Sequence, residues 1–277
     1  MLHLLLRILI ETYDRMKRYF VIIVAFAFVA SAMAQNTGTE KLEEKGPQLY
    51  NLGFDNWYKY RRKWCMYDRN APAENRIWDT ANQGLSLLGI NGAEPEDEIV
   101  VVKGPGKRAA KLHSEKILWA FAAGAIYNGR FVRIVDWSGA EITWGIPFTA
   151  KPKSMSGYYY YIPKPINYVK APYKHLKGTM DEAQIEIILT DWDAPAHIIS
   201  NDESFVDVEN DPHIIGRGCM TIKKATNGYL KFDLPVVYRN SRTPKYVMVV
   251  ATSSRYGGYY TGGSGSTLYL DEFRFNY

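Results

Sequence analysis

STLYLDEFRFNY, residues 266–277, alternates apolar and polar side chains with one fault. Leu268 and Leu270 share one parity, while Phe273, Phe275 and Tyr277 share the other. Alternation of period two is the mark of a half-buried strand, and a slip of one residue turns every later side chain to the opposite face. A one-residue bulge at Asp271–Glu272 would return all five to the core. The stretch therefore predicts a long kinked strand with Asp271 at the kink. The run before it, YGGYYTGGSGS (256–266), predicts a glycine-hinged loop at the rim of a sheet, carrying Tyr256, Tyr259 and Tyr260. It contains G-x-G, but the third glycine of a nucleotide loop is missing. A strand follows it where a phosphate cradle needs a helix N-terminus.

The same period recurs upstream. AQIEIIL (183–189) sets Ile185, Ile187 and Leu189 against Gln184 and Glu186. YLKFDLPV (229–236) sets Leu230, Phe232 and Leu234 against Lys231 and Asp233. YVMVVA (246–251) is apolar on both faces, as in a central strand. EIVVV (98–102) and AAKLHS (109–114) read as the arms of a hairpin around GPGKR, with the acidic run at 94–98 as a solvated loop before it. RFVRIVDW (130–137) places Phe131, Val135 and Trp137 on one face. No long stretch at helical spacing and no internal repeat follows residue 34. These features predict an all-β sandwich or barrel.

The first residues read differently. Met16-Lys17-Arg18 is basic, VIIVAFAFVA (21–30) is apolar, and Ala32-Met33-Ala34 is a small-residue cleavage site. This is the pattern of a secretory signal peptide spanning 1–34, with Met16 as the expected start and cleavage before Gln35. The apolar run is too short to span a bilayer. The expected location is the periplasm, the cell surface or the medium. Residues 35–48 read as a polar linker, and the folded domain is expected over 49–277. The leader carries four Lys/Arg and two Asp/Glu, so the net charge of +5 falls to +3 on its removal. That balance gives no electrostatic support for nucleic-acid binding. Cys65 and Cys219 are the only cysteines. Export permits a disulfide between them, and two separate thiols are the other reading.

Two long loops stand out. PKPINYVKAPYKHLKG (163–178) is basic and SNDESFVDVENDPH (200–213) is acidic, so their charges would let them meet. The chain has no nucleophile elbow, no zinc-protease helix and no Cys–His signature. Its best carboxylate pair is Asp191 and Asp193 in LTDWDAP, two apart on an expected strand. They are the first candidates for glycoside hydrolysis, although turn residues before Pro195 explain them more simply. Aromatic side chains are the positive signal, because sugar rings stack their C–H faces on Trp and Tyr. The candidates are Trp78, Trp144, Tyr158, Tyr256, Tyr259 and Tyr260; core packing is the competing role for each. Two of the four tyrosines at 158–161 are expected in the core.

LGFDNW (52–57), WDTANQG (78–84), FAAGAIYNGRF (121–131), ITWGIPFTAKP (142–152), GYYYYIP (157–163), ATSSRYGGYYTGG (251–263) and GSTLYLDEF (265–273) come in order. Together they resemble the Putative carbohydrate metabolism domain of secreted proteins from gut bacteria. The likeness runs from about Leu49 to Tyr277. It implies a jelly-roll β-sandwich similar to galactose-binding-like and carbohydrate-binding modules. Such sandwiches often hold a structural Ca²⁺ where first and last strands meet, which assigns Asp55 and Asp271 as metal ligands. The chain departs from the family pattern at Ala125, where an Asn is expected, and at Gly258, where an Asp is expected. The signal peptide, the implied sandwich, the loop aromatics and the missing catalytic signatures together lead to the expectation of an exported, non-catalytic protein that binds an oligo- or polysaccharide. A glycan-active hydrolase or lyase, and an adhesion subunit using its aromatic loops, are the alternatives.

Overall fold

The alternation at the C-terminus produces the strand it predicts. A computed structural model describes residues 46–117, 120–136, 139–200 and 204–277. The expected leader, most of the linker, and Trp137 lie outside the described residues. The strands run in chain order as β1 (Tyr58–Tyr60), β2 (Lys63–Cys65), β3 (Trp78–Thr80), β4 (Ala93–Glu96), β5 (Ala109–His113) and β6 (Glu115–Ile117). Next come β7 (Ala120–Ala122), β8 (Ala125–Val135), β9 (Gly139–Trp144), β10 (Ile146–Pro147), β11 (Ser154–Ile162) and β12 (Ala183–Thr190). The last are β13 (Ala196–Ile199), β14 (Ile214–Ile222), β15 (Leu230–Pro235), β16 (Val237–Tyr238), β17 (Tyr246–Thr252) and β18 (Thr267–Asn276). One short α-helix, α1 (Asn82–Leu85), interrupts them.

Two antiparallel sheets form a jelly-roll β-sandwich. The larger has the order β13-β9-β8-β17-β12-β14-β16, with β10 beside β17 and β3 beside β8. The smaller has the order β15-β11-β18-β5-β4. Ile185, Ile187 and Leu189 from β12 and Val247, Val249 and Ala251 from β17 form one wall of the core. Met155, Leu268, Leu270, Phe273 and Phe275 form the other. Burial of these side chains is the main favourable term in folding.

The bulge lies where the parity fault put it. Ser156 pairs with Arg274 and Tyr158 with Asp271, so Gly157 opposes two residues of β18. Glu272 takes φ +49° there. Leu268 and Leu270 before the bulge, and Phe273 and Phe275 after it, are all buried. Gly157 makes room for the shift: a Cβ on it would lie 2.5 Å from the Phe273 ring.

One element differs from expectation. The partner of β5 is β4, not EIVVV, and residues 97–108 are an irregular loop. Pro95 sits within β4 because β4 is an edge strand, where a missing N–H costs no ladder bond. Glu94 is not in a solvated loop but meets Lys111 across the strands at 2.8 Å. Cys65 is buried, Cys219 is exposed, and both are free thiols. Among the described residues no helix is long and apolar enough to cross a membrane.

Candidate functional site

The rim loop begins from one buried carboxylate. Asp181 is fully buried between β11 and β12. Its Oδ2 accepts hydrogen bonds from Ser254 Oγ at 2.5 Å, Gly263 N at 2.7 Å and Ser266 Oγ at 2.9 Å. Both ends of the Gly/Tyr loop are thereby held to one point. Burial pushes the Asp181 pKa up, against the pull of those donors. The glycines serve close approach: a Cβ on Gly262 would lie 2.3 Å from the Phe121 ring, and one on Gly263 would lie 2.6 Å from Lys164 O.

From this anchor the loop projects its rings. Tyr256 lies 4.6 Å and Tyr259 5.0 Å, centroid to centroid, from Tyr173 of the basic loop. Phe205 of the acidic loop lies 5.0 Å from Tyr259. The Lys170 ammonium sits 4.2 Å from the Tyr260 ring centre, and the Tyr260 hydroxyl is 3.1 Å from Ser200 Oγ. Tyr256, Tyr259 and Tyr260 are half-buried and belong to neither apolar core cluster. A Cβ on Gly258, the departure from the family pattern, would lie 3.3 Å from the Phe205 ring, which would have to give by a few tenths of an ångström.

The two charged loops each reach the Gly/Tyr loop: Tyr173 and Lys170 from the basic side, Phe205 and Ser200 from the acidic side. The acidic loop then runs over the outer face of the larger sheet. Val206 and Val208 pack on Ile188, Ile214 and Met248, together with Trp144 and Trp192. Two of its described carboxylates find partners locally: Glu209 with Arg217, and Asp211 with the Trp192 indole N–H.

On the same outer face one row crosses the strands. Asp79, Tyr127, Val250, Glu186 and Cys219 stand side by side. Sequence reasoning did not single out Tyr127, because its apolar neighbours read only as a strand. Its parity opposite the core residue Ile126 was the available signal. Tyr127 lies 6.5 Å from Trp144, and both the Tyr127 hydroxyl and the Trp144 indole N–H are buried without a hydrogen-bond partner. Asp79 and Glu186 are separated by three strand spacings, about 14 Å. Glycoside hydrolysis uses carboxylates roughly 5–9.5 Å apart, so this pair does not fit it.

The other candidates fall elsewhere. Trp78 is 1% exposed in the core, where its indole N–H donates to Tyr50 O at 2.8 Å and its ring abuts Phe54. It presents no face to a ligand. Tyr161 is buried and Tyr159 packs on the core, whereas Tyr158 lies on the outer face of the smaller sheet, opposite Asp271 in register. Tyr158 is therefore remote in register from the rim loop. Asp191 and Asp193 follow the end of β12 and are not on a strand. Asp191 is held by His213 at 2.9 Å and Arg242 at 2.6 Å. Asp193 is 97% exposed, and Lys245 beside it holds its pKa below the usual carboxylate range. A general acid needs the opposite shift.

Asp55 and Asp271 lie near one another, and a cation of the chain already stands between Asp55 and Glu272, the residue after Asp271. Lys107 Nζ is 2.7 Å from Asp55 Oδ2 and 3.1 Å from Glu272 Oε1. Asp55 Oδ1 accepts from Arg108 N, and Asp271 Oδ2 accepts from Val101 N. A Ca²⁺ ion takes six to eight oxygens, and no group of three or more metal-ligating side chains occurs among the described residues. The arrangement does not fit the ion.

With this geometry in place, the family model for the Putative carbohydrate metabolism domain matches residues 53–276. The chain belongs to that family. No curated protein matches it. Two solved structures share its fold. One, described as a putative glycoside hydrolase from Bacteroides thetaiotaomicron VPI-5482, is 18% identical with a TM-score of 0.63, over 84% of this chain and 72% of that one. The other, described in the same words from Bacteroides vulgatus ATCC 8482, is 17% identical with a TM-score of 0.59, over 80% of this chain and 96% of that one. At such identity the likeness speaks of fold alone, and function must be argued from the site. The Putative carbohydrate metabolism domain of this chain thus combines a carbohydrate-related family with a loop-borne aromatic cluster at one end of the sandwich.

Proposed function

We propose that this protein is an exported glycan-binding module whose site is the tyrosine rim. One observation carries the reading. The Tyr256 and Tyr259 rings lie 4.6 and 5.0 Å from the Tyr173 ring, centroid to centroid, and all three stand outside both core clusters. Rings that merely closed the sandwich would be counted in its core. Half-buried rings on a carboxylate-anchored loop supply the flat apolar wall that sugar rings stack on, with hydroxyl tips beside it. Asp191 and Asp193 are bound to cations and Asp79 and Glu186 stand too far apart for hydrolysis, which favours binding over turnover. Export rests on the signal-peptide pattern of residues 1–34.

Affinity electrophoresis against a panel of polysaccharides tests the proposal. Retardation of the protein by at least one glycan, weakened about tenfold or more by Tyr256→Ala with Tyr259→Ala, is the expected result; loss of two stacking rings at about 1 kcal/mol each accounts for that size. Export is tested separately, by finding whether the mature N-terminus is Gln35.

A further inference from the structure

We infer that the glycan held at the rim is anionic, a polysaccharide bearing carboxylate or sulfate groups. The inference rests on the glycan-binding reading and adds the charge of the ligand to it. Four lysines of the basic loop, Lys164, Lys170, Lys174 and Lys177, are exposed beside the tyrosines. Lys170 lies over the Tyr260 ring, and its backbone N–H donates to Thr261 Oγ1 at 3.0 Å. Lys174 lies in the 3-10 turn Tyr173–Leu176, whose first ring packs on Tyr256 and Tyr259, and Lys177 follows it directly. The Lys164 stem lies along Gly265, at the far end of the same loop.

Among the described residues none of these four ammonium groups forms an ion pair. The described carboxylates nearest to them have other partners. Glu182, next to Asp181, is taken by Arg255 at 3.0 Å and Lys223 at 3.9 Å. Asp181 is buried under hydroxyl and N–H donors. In the acidic loop, Glu209 binds Arg217, Asp207 binds Asn210, and Asp211 binds Trp192. Four ammonium groups without an ion pair among the described residues thus stand beside stacking rings. A sugar whose C–H face lies on a tyrosine would carry its carboxylate or sulfate toward an ammonium, whereas a neutral sugar offers it only hydroxyls. Complementary charge of this kind sets partner choice and salt dependence.

The test measures binding of polygalacturonate, dextran sulfate and neutral galactan by titration calorimetry, with the protein and its Lys170→Gln, Lys174→Gln, Lys177→Gln triple variant. All three side chains are exposed, and an unchanged melting temperature confirms that the variant is folded. Expected is binding of polygalacturonate, dextran sulfate or both, weakened about tenfold in the triple variant and about tenfold between 0.05 and 0.5 M NaCl. Binding of one acidic polymer alone identifies carboxylate or sulfate as the group recognised. Galactan bound as tightly as the acidic polymers, or an unaltered affinity in the triple variant, overturns the inference and leaves glycan binding intact. Duplex DNA bound as tightly as polygalacturonate also overturns it, since the rim would then be a general polyanion surface. Failure of every glycan, acidic and neutral, overturns the glycan-binding reading and this inference with it.

Discussion

Asp271 is 2% exposed beside Asp55 and Glu272, and burial first, then those like charges, raise its pKa to about 6. A carboxyl group whose pKa is raised by folding binds its proton more tightly in the folded state. Its contribution is therefore fully present below the unfolded pKa near 4 and is lost as pH rises through about 6. For this group the loss is on the order of 2–3 kcal/mol. Urea unfolding between pH 4 and 7 should show the protein losing stability relative to Asp271→Asn over that window; parallel curves would show that Asp271 is not buried as a neutral acid. A bound Ca²⁺ would demand the ionised form and reverse the sign. Asp181 gives a second prediction at this scale. Asp181→Ala strips an acceptor from two serine hydroxyls and a backbone N–H, and should lower stability by about 2–4 kcal/mol in equilibrium unfolding. A cost below 0.5 kcal/mol, roughly the size of a neutral surface change, would remove Asp181 as the anchor of the rim. Single residues were legible in the sequence where parity spoke for them. The fault between Leu270 and Phe273 located the bulge because only one insertion restores both apolar sets. Trp78 stayed open between core and ligand because a buried and a ligand-facing tryptophan have the same letter; only its neighbours Phe54 and Tyr50 O decide.

At the scale of elements, β18 and β11 fit each other through Gly157. Gly157→Ala places a methyl against the Phe273 ring and should cost about 1–3 kcal/mol by overpacking, read from the urea midpoint. An unchanged midpoint would mean that the bulge has room to spare. Residues 98–102 of the irregular 97–108 loop read as a strand because EIVVV is β-branched and apolar. Tertiary context overrode that propensity. Val101 N is needed at Asp271 and Lys107 at Asp55 and Glu272, and neither contact is available to a strand paired with β5. If Lys107 is the resident cation there, chelator should leave the melting temperature unchanged. Lys107→Ala should then cost about 1 kcal/mol at these partly exposed carboxylates. A chelator-induced drop reversed by added Ca²⁺ would show that the ion, not the lysine, neutralises the pair.

For the whole molecule, the sandwich was readable from period-two runs, since buried faces on both sheets leave no other register. The site was less readable, because loop contacts depend on chain closure. Tyr173 and Phe205 lie far in sequence from Tyr256 and Tyr259, and nothing local marks them as partners. The opposite charges of the two long loops suggest a direct contact; instead each loop reaches the Gly/Tyr loop with an aromatic ring, and Glu209 pairs with Arg217. The rim rings stay half-buried. The proposed function rests on those rings. The most direct measurement is affinity electrophoresis of the protein and of its Tyr256→Ala, Tyr259→Ala variant in gels cast with neutral and acidic polysaccharides. Glycan binding at the rim predicts retardation of the protein in at least one gel and its loss in the variant. Equal mobility of both proteins in every gel would contradict it.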